Sequence, residues 1–496
     1  MPAADIDYAD IQGLVRYGHG RLKEASFLLL QVLDRQAART WLQTAKVATA
    51  ADPPLETVMQ VALTREGLEA LGVAADVIAG FSAEFISGMA GEESRSRRLG
   101  DIGVSDPSHW QWGQRGYVPH IAVLLYAASG RLEPWKQAIK GPEWDRAFSV
   151  LADLATSDMD GIEPFGFADG ISQPTLDWHQ TLAADGGDRI AYGNLSALGE
   201  FLLGYPNEYG KYTDRPLVDA SQGTGLPAAE DNPSKRDVGR NGTYLVMRHL
   251  SQDVRGFWQF LDREAKSDEA GRRQLAEAMV GRTLSGRPLV TPTERPIAGV
   301  GPESTDIKLN RFTYDADATG RRCPLGAHIR RANPRNADLP GHPGSLIARV
   351  IAILGFSGKR PRTDLMASVR FHRVLRRGRE YGTSISTEDA LKPGPPGEDR
   401  GLHFICLNAN ISRQFEFVQN AWMIGTKFNG LTDESDPLLG TREPIAGCPA
   451  DRFSVPQEND MSYRVTSVPR FVTVRGGAYF FLPGIRALRY LARAGG

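Results

Sequence analysis

The chain has 496 residues, 41% hydrophobic and 24% charged, which is the composition of a globular protein and too long for one ordinary core at roughly 150 residues per domain. A formal net charge of −1 gives no broad electrostatic pull toward nucleic acid or anionic lipid. The three cysteines, Cys323, Cys406 and Cys448, are too few and too far apart for a disulfide framework or a zinc site, and they fit a reducing compartment.

The first ten residues are acidic and lack a charged-then-apolar leader pattern. The longest apolar runs, 26–33 and 121–128, fall far short of the ~18–20 residues of a membrane helix, so a soluble cytoplasmic protein is expected. SFLLLQVLDRQAARTWL at 26–42 reads as a strand, a polar turn and a helix with an inward aromatic. The pattern returns at 243–259 as TYLVMRHLSQDVRGFWQ, aligning Phe27 with Tyr244, Leu33 with Leu250 and Trp41 with Trp258. A second pair follows in the same order, PHIAVLLYA at 119–127 and LHFICLNAN at 402–410, both strands buried on two faces. Two related halves predict duplicated α+β domains, 1–203 and 243–496, with a Gly- and Pro-rich linker or insertion at 204–242. Segment 286–303 interrupts the second half, 471–483 reads as a hairpin turning at Gly476-Gly477, and a short basic helix follows from 485 to 493. The basic cluster Lys359, Arg360 and Arg362 reads as a solvated loop.

Three stretches could carry chemistry. In PFGFADGISQP, 164–174, Asp169 lies between Gly166 and Gly170, whose backbones can turn sharply and come close to a flat ligand. A carboxylate held there can act as acid or base, although an isolated Asp of this kind equally caps a turn. In RRCPLGAHIRRANPR, 321–335, His328 could ligate a haem iron or be a structural imidazole, and Arg330, Arg331 and Arg335 could meet propionates. In HRVLRRGREYG, 372–382, paired arginines end a strand; a guanidinium there could stabilise a departing oxygen or be an exposed basic turn. Other motifs fail: DADATG at 315–320 has Gly326 where a calcium loop needs Glu, and GFSGK at 355–359 has neither nucleophile-elbow nor P-loop spacing.

Together these stretches resemble the dye-decolourising peroxidase family, the larger bacterial subgroup in particular. Supporting stretches include DIQGLVRYGHGRL at 10–22, LGDIGVSDPSHWQWG at 99–113, FLLGYPNEYG at 201–210 and ISRQFEFVQNAW at 411–422. The pairing of G-x-x-D-G with a later CP-x-x-x-H-x-R-x-x-NPR carries most of the resemblance. It implies two ferredoxin-like domains of the dimeric α+β barrel type with long loop insertions, one haem b, and His328 as the iron's ligand. It also implies Asp169 as the distal acid, Arg376 as the distal arginine, and Glu416 as the acid bonded to the proximal histidine. The activity implied is reduction of hydrogen peroxide with one-electron oxidation of small organic reductants, with homo-oligomers possible in the family and no nucleic-acid or membrane partner. The alternatives are a haem-binding carrier or sensor with the same fold, and a haem-dependent oxygenase. Two departures stand out. The 345–371 stretch looks like an inserted loop near the haem pocket, and Gly378 stands where some relatives have asparagine.

Overall fold

A computed structural model describes residues 5–53, 56–182, 193–291, 309–335, 368–394, 399–444, 447–457 and 462–493. The 359–362 basic cluster, GFSGK and most of the 345–371 stretch lie outside the described residues.

The centre of the molecule is one antiparallel sheet of nine strands. In chain order these are β1 Glu24–Val32, β2 Thr57–Leu63, β3 Ile121–Ala127, β4 Phe148–Ala155, β5 Thr243–Gln252, β6 Leu375–Arg376, β7 Arg379–Tyr381, β8 Gly401–Asn408 and β9 Val472–Leu482. Across the sheet the first four run β2-β3-β1-β4, and the rest run β6/β7-β8-β5-β9. Counting the short β6 and β7 as one broken strand, each half has the order 4-1-3-2 of a ferredoxin-like unit. The expected duplication is therefore present as topology as well as sequence pattern. The halves join where β9 pairs β2 at Phe481 and Leu63. The sheet then curls until its outer strands meet: Ser157, just past β4, donates its N–H to Glu380 O on β7 at 2.8 Å.

Both faces are covered, which explains the nearly unbroken apolar runs. Leu28, Leu30, Val123 and Val246 enter one core, while the alternate residues Phe27, Leu29, Leu124 and Leu245 enter another. Helix α1, Arg35–Thr44, follows β1 and helix α2, Val254–Glu264, follows β5. Asp34 and Asp253 cap them by accepting from the N–H groups of Ala37 and Gly256, each cap being worth about 1 kcal/mol. The two repeat tryptophans point inward as expected: Trp41 Nε1 donates to Ile139 O at 2.8 Å and Trp258 Nε1 to Phe165 O at 3.2 Å.

The expected C-terminal hairpin is a correction. Residues 472–482 form one continuous strand with a bulge between Val474 and Gly476. A Cβ on Gly476 would stand 2.6 Å from the Trp112 ring, so the glycine admits a packed indole and makes no turn. The 204–242 stretch folds back on the body through a small hairpin, Leu217–Asp219 with Lys235–Asp237. Its Arg215 is buried and joins Asp231 and the buried Asp237.

Candidate active site

A cavity of about 300 Å³ opens between the second half's sheet face and the helices behind it. His328, Asp169 and Arg376 all line it, although they lie far apart in the chain. Its apolar walls include Phe165, Phe167, Leu250, Phe404, Phe415 and Leu438.

His328 begins a short helix, α3, His328–Ala332. Its Nδ1 is 3.0 Å from Asp436 Oδ2. Asp436 is fully buried, and its Oδ1 accepts from the N–H groups of Leu438 at 2.9 Å and Leu439 at 2.7 Å. An ionised carboxylate can only accept, so the proton sits on Nδ1 and the lone pair on Nε2 is available to a ligand. Burial drives the His328 pKa down, but the Asp436 charge and hydrogen bond outweigh it and leave it raised. Burial likewise pushes Asp436 up, and His328 with the Leu439 N–H brings it below the usual carboxylate range.

On another wall Asp169 Oδ1 accepts from Arg376 Nη1 at 2.9 Å, with about a third of each side chain open to the cavity. Burial alone would raise the Asp169 pKa; the Arg376 charge and the Gly170 N–H hold it below its ordinary value. Gly166 and Gly170 have φ of 99° and 77°, and a Cβ at either would meet nothing within 4 Å. These glycines are therefore needed for backbone conformation. The loop is anchored by Glu163, whose carboxylate accepts from Phe165 N, Phe167 N and Gln252 Nε2 at 3.0, 3.0 and 2.9 Å. Burial pushes the Glu163 pKa up to about 7. Gln173, in the same loop, accepts from Arg376 N–H at 3.0 Å.

Strand alternation separates the paired arginines. Arg377 turns away, donating to Leu14 O at 2.7 Å and Val15 O at 2.8 Å. Gly378 is dictated by its neighbours, since a Cβ there would stand 2.5 Å from His403 O.

Three expected residues need correction. Glu416 is not the partner of His328. Its carboxylate accepts from Arg95 Nε at 2.8 Å and Tyr479 Oη at 2.9 Å, because its helix turns it toward β9 and the first half's Arg95. Asp436 holds that place. Arg330 and Arg331 do not line the cavity. Arg330 bonds Asp317 and Cys323 O, and Arg331 bonds the carbonyls of Trp422, Gly425 and Glu434, so both brace backbone. Arg335 does line it, while donating to Asn310 and Phe312 O. Arg282, which nothing in the sequence marked, stands there too and donates to the carbonyls of Gly286 and Leu309. Burial, followed by the charge of Arg335, pushes its pKa down to about 10.

These residues fit a haem. An imidazole with an oriented lone pair faces the cavity, aromatic walls suit a flat macrocycle, and Arg282 and Arg335 are cations suited to its carboxylates. Among the described residues no group of three or more His, Cys, Asp or Glu could hold a bare metal ion.

No family model matches the chain. It is 28% identical over 476 residues to "Multifunctional dye peroxidase DyP2" of Amycolatopsis sp., covering 92% of this chain and 87% of that protein. It is 27% identical over 518 residues to "Dye-decolorizing peroxidase msp1" of Mycetinis scorodonius, covering 98% and 88%. Among solved structures, it is similar to a dye-decolorizing peroxidase in complex with 2,6-dimethoxyphenol, with TM-score 0.70, 25% identity and coverage of 98% and 100%. The structure of AauDyP complexed with imidazole matches with TM-score 0.72 at 25% identity, over 98% of this chain and 100% of that one.

Proposed function

We infer that this chain, which belongs to the dye-decolourising peroxidase family, is a haem-dependent peroxidase that reduces hydrogen peroxide with electrons taken singly from organic donors such as dyes and phenols. The observation that carries the reading is the Asp169–Arg376 pair facing the same cavity as His328. A carrier or sensor needs the ligand but not the pair.

In this reading His328 Nε2 holds the iron, and Asp436 keeps the Nδ1 proton in place and makes the imidazole a stronger donor. Bound haem supplies the redox chemistry, H2O2 + 2 e⁻ + 2 H⁺ → 2 H2O, with two donors each giving one electron. Asp169, ionised by Arg376, takes the peroxide's proton and returns it to the outer oxygen, which leaves as water. The Arg376 guanidinium stabilises the negative charge that grows on that oxygen as the O–O bond breaks. Phe165, Phe167 and Phe404 keep water from the reacting oxygens, which strengthens both interactions. Arg282 and Arg335 hold the haem carboxylates.

The haem in this proposal is haem b, since the chain has no Cys-x-x-Cys-His attachment sequence. Among the described residues no helix is long and apolar enough to cross a membrane. The three cysteines are free, which supports a cytoplasmic location. Nucleic acid is not a partner in this reading, and a homo-oligomer is compatible with it. The test is the absorption spectrum of haem-loaded protein before and after one equivalent of peroxide. A rapid change in the Soret band that an added phenol reverses in two equal steps is expected. Slow bleaching alone would refute the reading.

A further inference from the structure

His328 keeps its Nε2 lone pair free only while Asp436 Oδ2 stays within reach of the Nδ1–H, and a contact of 3.0 Å leaves about 0.5 Å of movement before that hydrogen bond is lost. Asp436 belongs to no helix or strand. It opens a turn that Gly440 N–H closes by donating to Asp436 O at 2.9 Å. A Cβ on Gly440 would stand 2.2 Å from Ser435 Oγ and 2.5 Å from Asp436 O, so the turn is wound as tightly as backbone allows. Pro437 fixes one φ of it but brings no N–H. Two arginines hold this turn from outside. Arg442 spreads its guanidinium over it: Nη1 donates to Ser435 Oγ at 3.0 Å and Asp436 O at 3.2 Å, Nη2 to Asp436 O at 3.1 Å and Pro437 O at 2.7 Å, and Nε to Pro469 O at 3.1 Å. One planar fork thus ties the turn to the segment that leads into β9. Arg331 works from the other side. It lies on α3 with His328, is fully buried, and donates to Glu434 O at 2.7 Å, Trp422 O at 2.7 Å and Gly425 O at 3.0 Å. Asp436 N–H donates to Met423 O at 2.7 Å. The helix that carries the imidazole and the turn that carries the carboxylate are therefore fastened to the same stretch, 422–425.

We propose that Arg442 is a positioning residue for the iron's ligand: its fork holds the 436–440 turn so that Asp436 stays against His328 Nδ1, and Arg331 supplies the fixed point on the helix side. The proposal rests on the reading of His328 as the haem ligand given above. Arg442 does not line the cavity, and its bonds go to backbone carbonyls and a serine hydroxyl, so its effect on the imidazole passes through Asp436. Its grip and its charge act in opposite directions. The grip keeps the carboxylate close and strengthens the bond to Nδ1–H. A cation behind the carboxylate draws negative charge from it and weakens that bond. The structure favours grip, because the Arg442 donors meet Asp436 at its backbone carbonyl and leave its carboxylate to His328, Leu438 and Leu439.

The first readout needs no haem. In full-length apoprotein with nitrogen-labelled histidine, at a pH where the His328 ring is neutral, the ring nitrogen shifts report which nitrogen holds the proton, and His328→Ala identifies the signal. The wild type should show the Nδ1–H form, and Arg442→Gln a mixture with the Nε2–H form. The second readout is haemin titration at the Soret band. Arg442→Gln should bind about tenfold more weakly, the lower end of what loss of an outer partner of a metal-ligating histidine costs. In the Asp436→Asn background the same substitution should change affinity less than about twofold, because the group it positions is gone. Should Arg442→Gln not fold, Arg442→Lys carries the test: a movable ammonium cannot reproduce the planar fork, so both readouts should move in the same direction. A wild-type tautomer in the variant, tighter haemin binding, or an equal loss of affinity in both backgrounds overturns the proposal. If the wild-type apoprotein holds the Nδ1–H form and Arg442→Gln loses it, yet the wild type binds no haemin, the haem reading has failed and the positioning of Asp436 against His328 by Arg442 stands.

Discussion

Replacing Asp436 by Asn should weaken haem binding while leaving the fold intact. The Asn side chain has nearly the same shape, and its oxygen can keep the two bonds from Leu438 and Leu439 N–H that Asp436 Oδ1 accepts now. What changes lies on the other side. The Asn NH2 would meet His328 Nδ1, and two donors cannot share that 3.0 Å contact. The imidazole must then move its proton to Nε2, the nitrogen that would hold the iron in the proposed function, or lose the contact. Asp436 is fully buried, so water cannot readily substitute. Loss of a carboxylate behind a metal-ligating histidine typically costs 10–100-fold in affinity or activity, or about 1.4–2.7 kcal/mol. The assay is titration of the apoprotein with haemin, followed at the Soret band, beside thermal unfolding of the same apoprotein. A weakening of haem affinity by about that factor, with apoprotein stability changed by less than about 1 kcal/mol, is expected. Unchanged affinity and an unchanged Soret band in Asp436→Asn would refute the assignment. The matching variant Glu416→Gln should change haemin affinity less than about twofold, because Glu416 touches Arg95 and Tyr479 and not the imidazole.

Five further outcomes follow from the same geometry. His328→Ala should abolish stable haem binding or leave a markedly altered Soret band, and normal haem content in that variant would remove it from the mechanism. Arg376→Leu should slow the peroxide-driven Soret change by about 10²–10³-fold in stopped flow, at least as much as Asp169→Asn. Arg377→Leu should react with peroxide at the wild-type rate but unfold more easily by about 1–3 kcal/mol, since it strips partners from the Leu14 and Val15 carbonyls; the reverse pattern would put the arginine assignment one residue off. Asp169 is a base only when ionised and its pKa is depressed, so kcat/KM for peroxide should hold above the ordinary carboxylate range and fall as pH drops below it. Arg376→Leu removes the main influence holding that pKa down, so the acid limb should move to higher pH, and a limb that stays put would show that another group controls it.

What could be read from the sequence was what lies in short contiguous signals. Asp169 between two glycines, His328 in its basic run and Arg376 ahead of a glycine turn each carry their own local mark, and all three line one cavity. The strand-helix repeat was equally local, and the ferredoxin order appears in both halves. Asp436 carries no such mark. It lies 108 residues from the histidine it orients and reads as an ordinary aspartate before a proline. The run of arginines misled for a related reason: composition shows three equal cations, whereas helix geometry sends Arg330 and Arg331 to neighbouring backbone carbonyls, and only Arg335, past the proline, reaches the cavity. The double glycine at 476–477 misled because glycine serves close packing as readily as turns, and the Trp112 ring that requires it comes from elsewhere in the chain.

The duplication also explains how residues 207 positions apart come to share a hydrogen bond. In the first half Trp41 spends its indole N–H on Ile139, within its own half, and simply fastens a helix. Its counterpart Trp258 reaches across to Phe165 O, in the loop that carries Asp169. That loop follows the first half's last strand, and the sheet's closure through Ser157 and Glu380 brings it over β6, where Arg376 waits. The second copy of an ordinary packing residue thus anchors the loop of the first that carries Asp169. Trp258→Phe tests this directly: it keeps most of the apolar contact but loses the bond to Phe165. If the anchoring matters, reaction with peroxide should slow while haemin affinity holds; if both are unchanged, the loop's other bonds, those of Glu163, Ala168 and Gln173 among them, suffice to fix it.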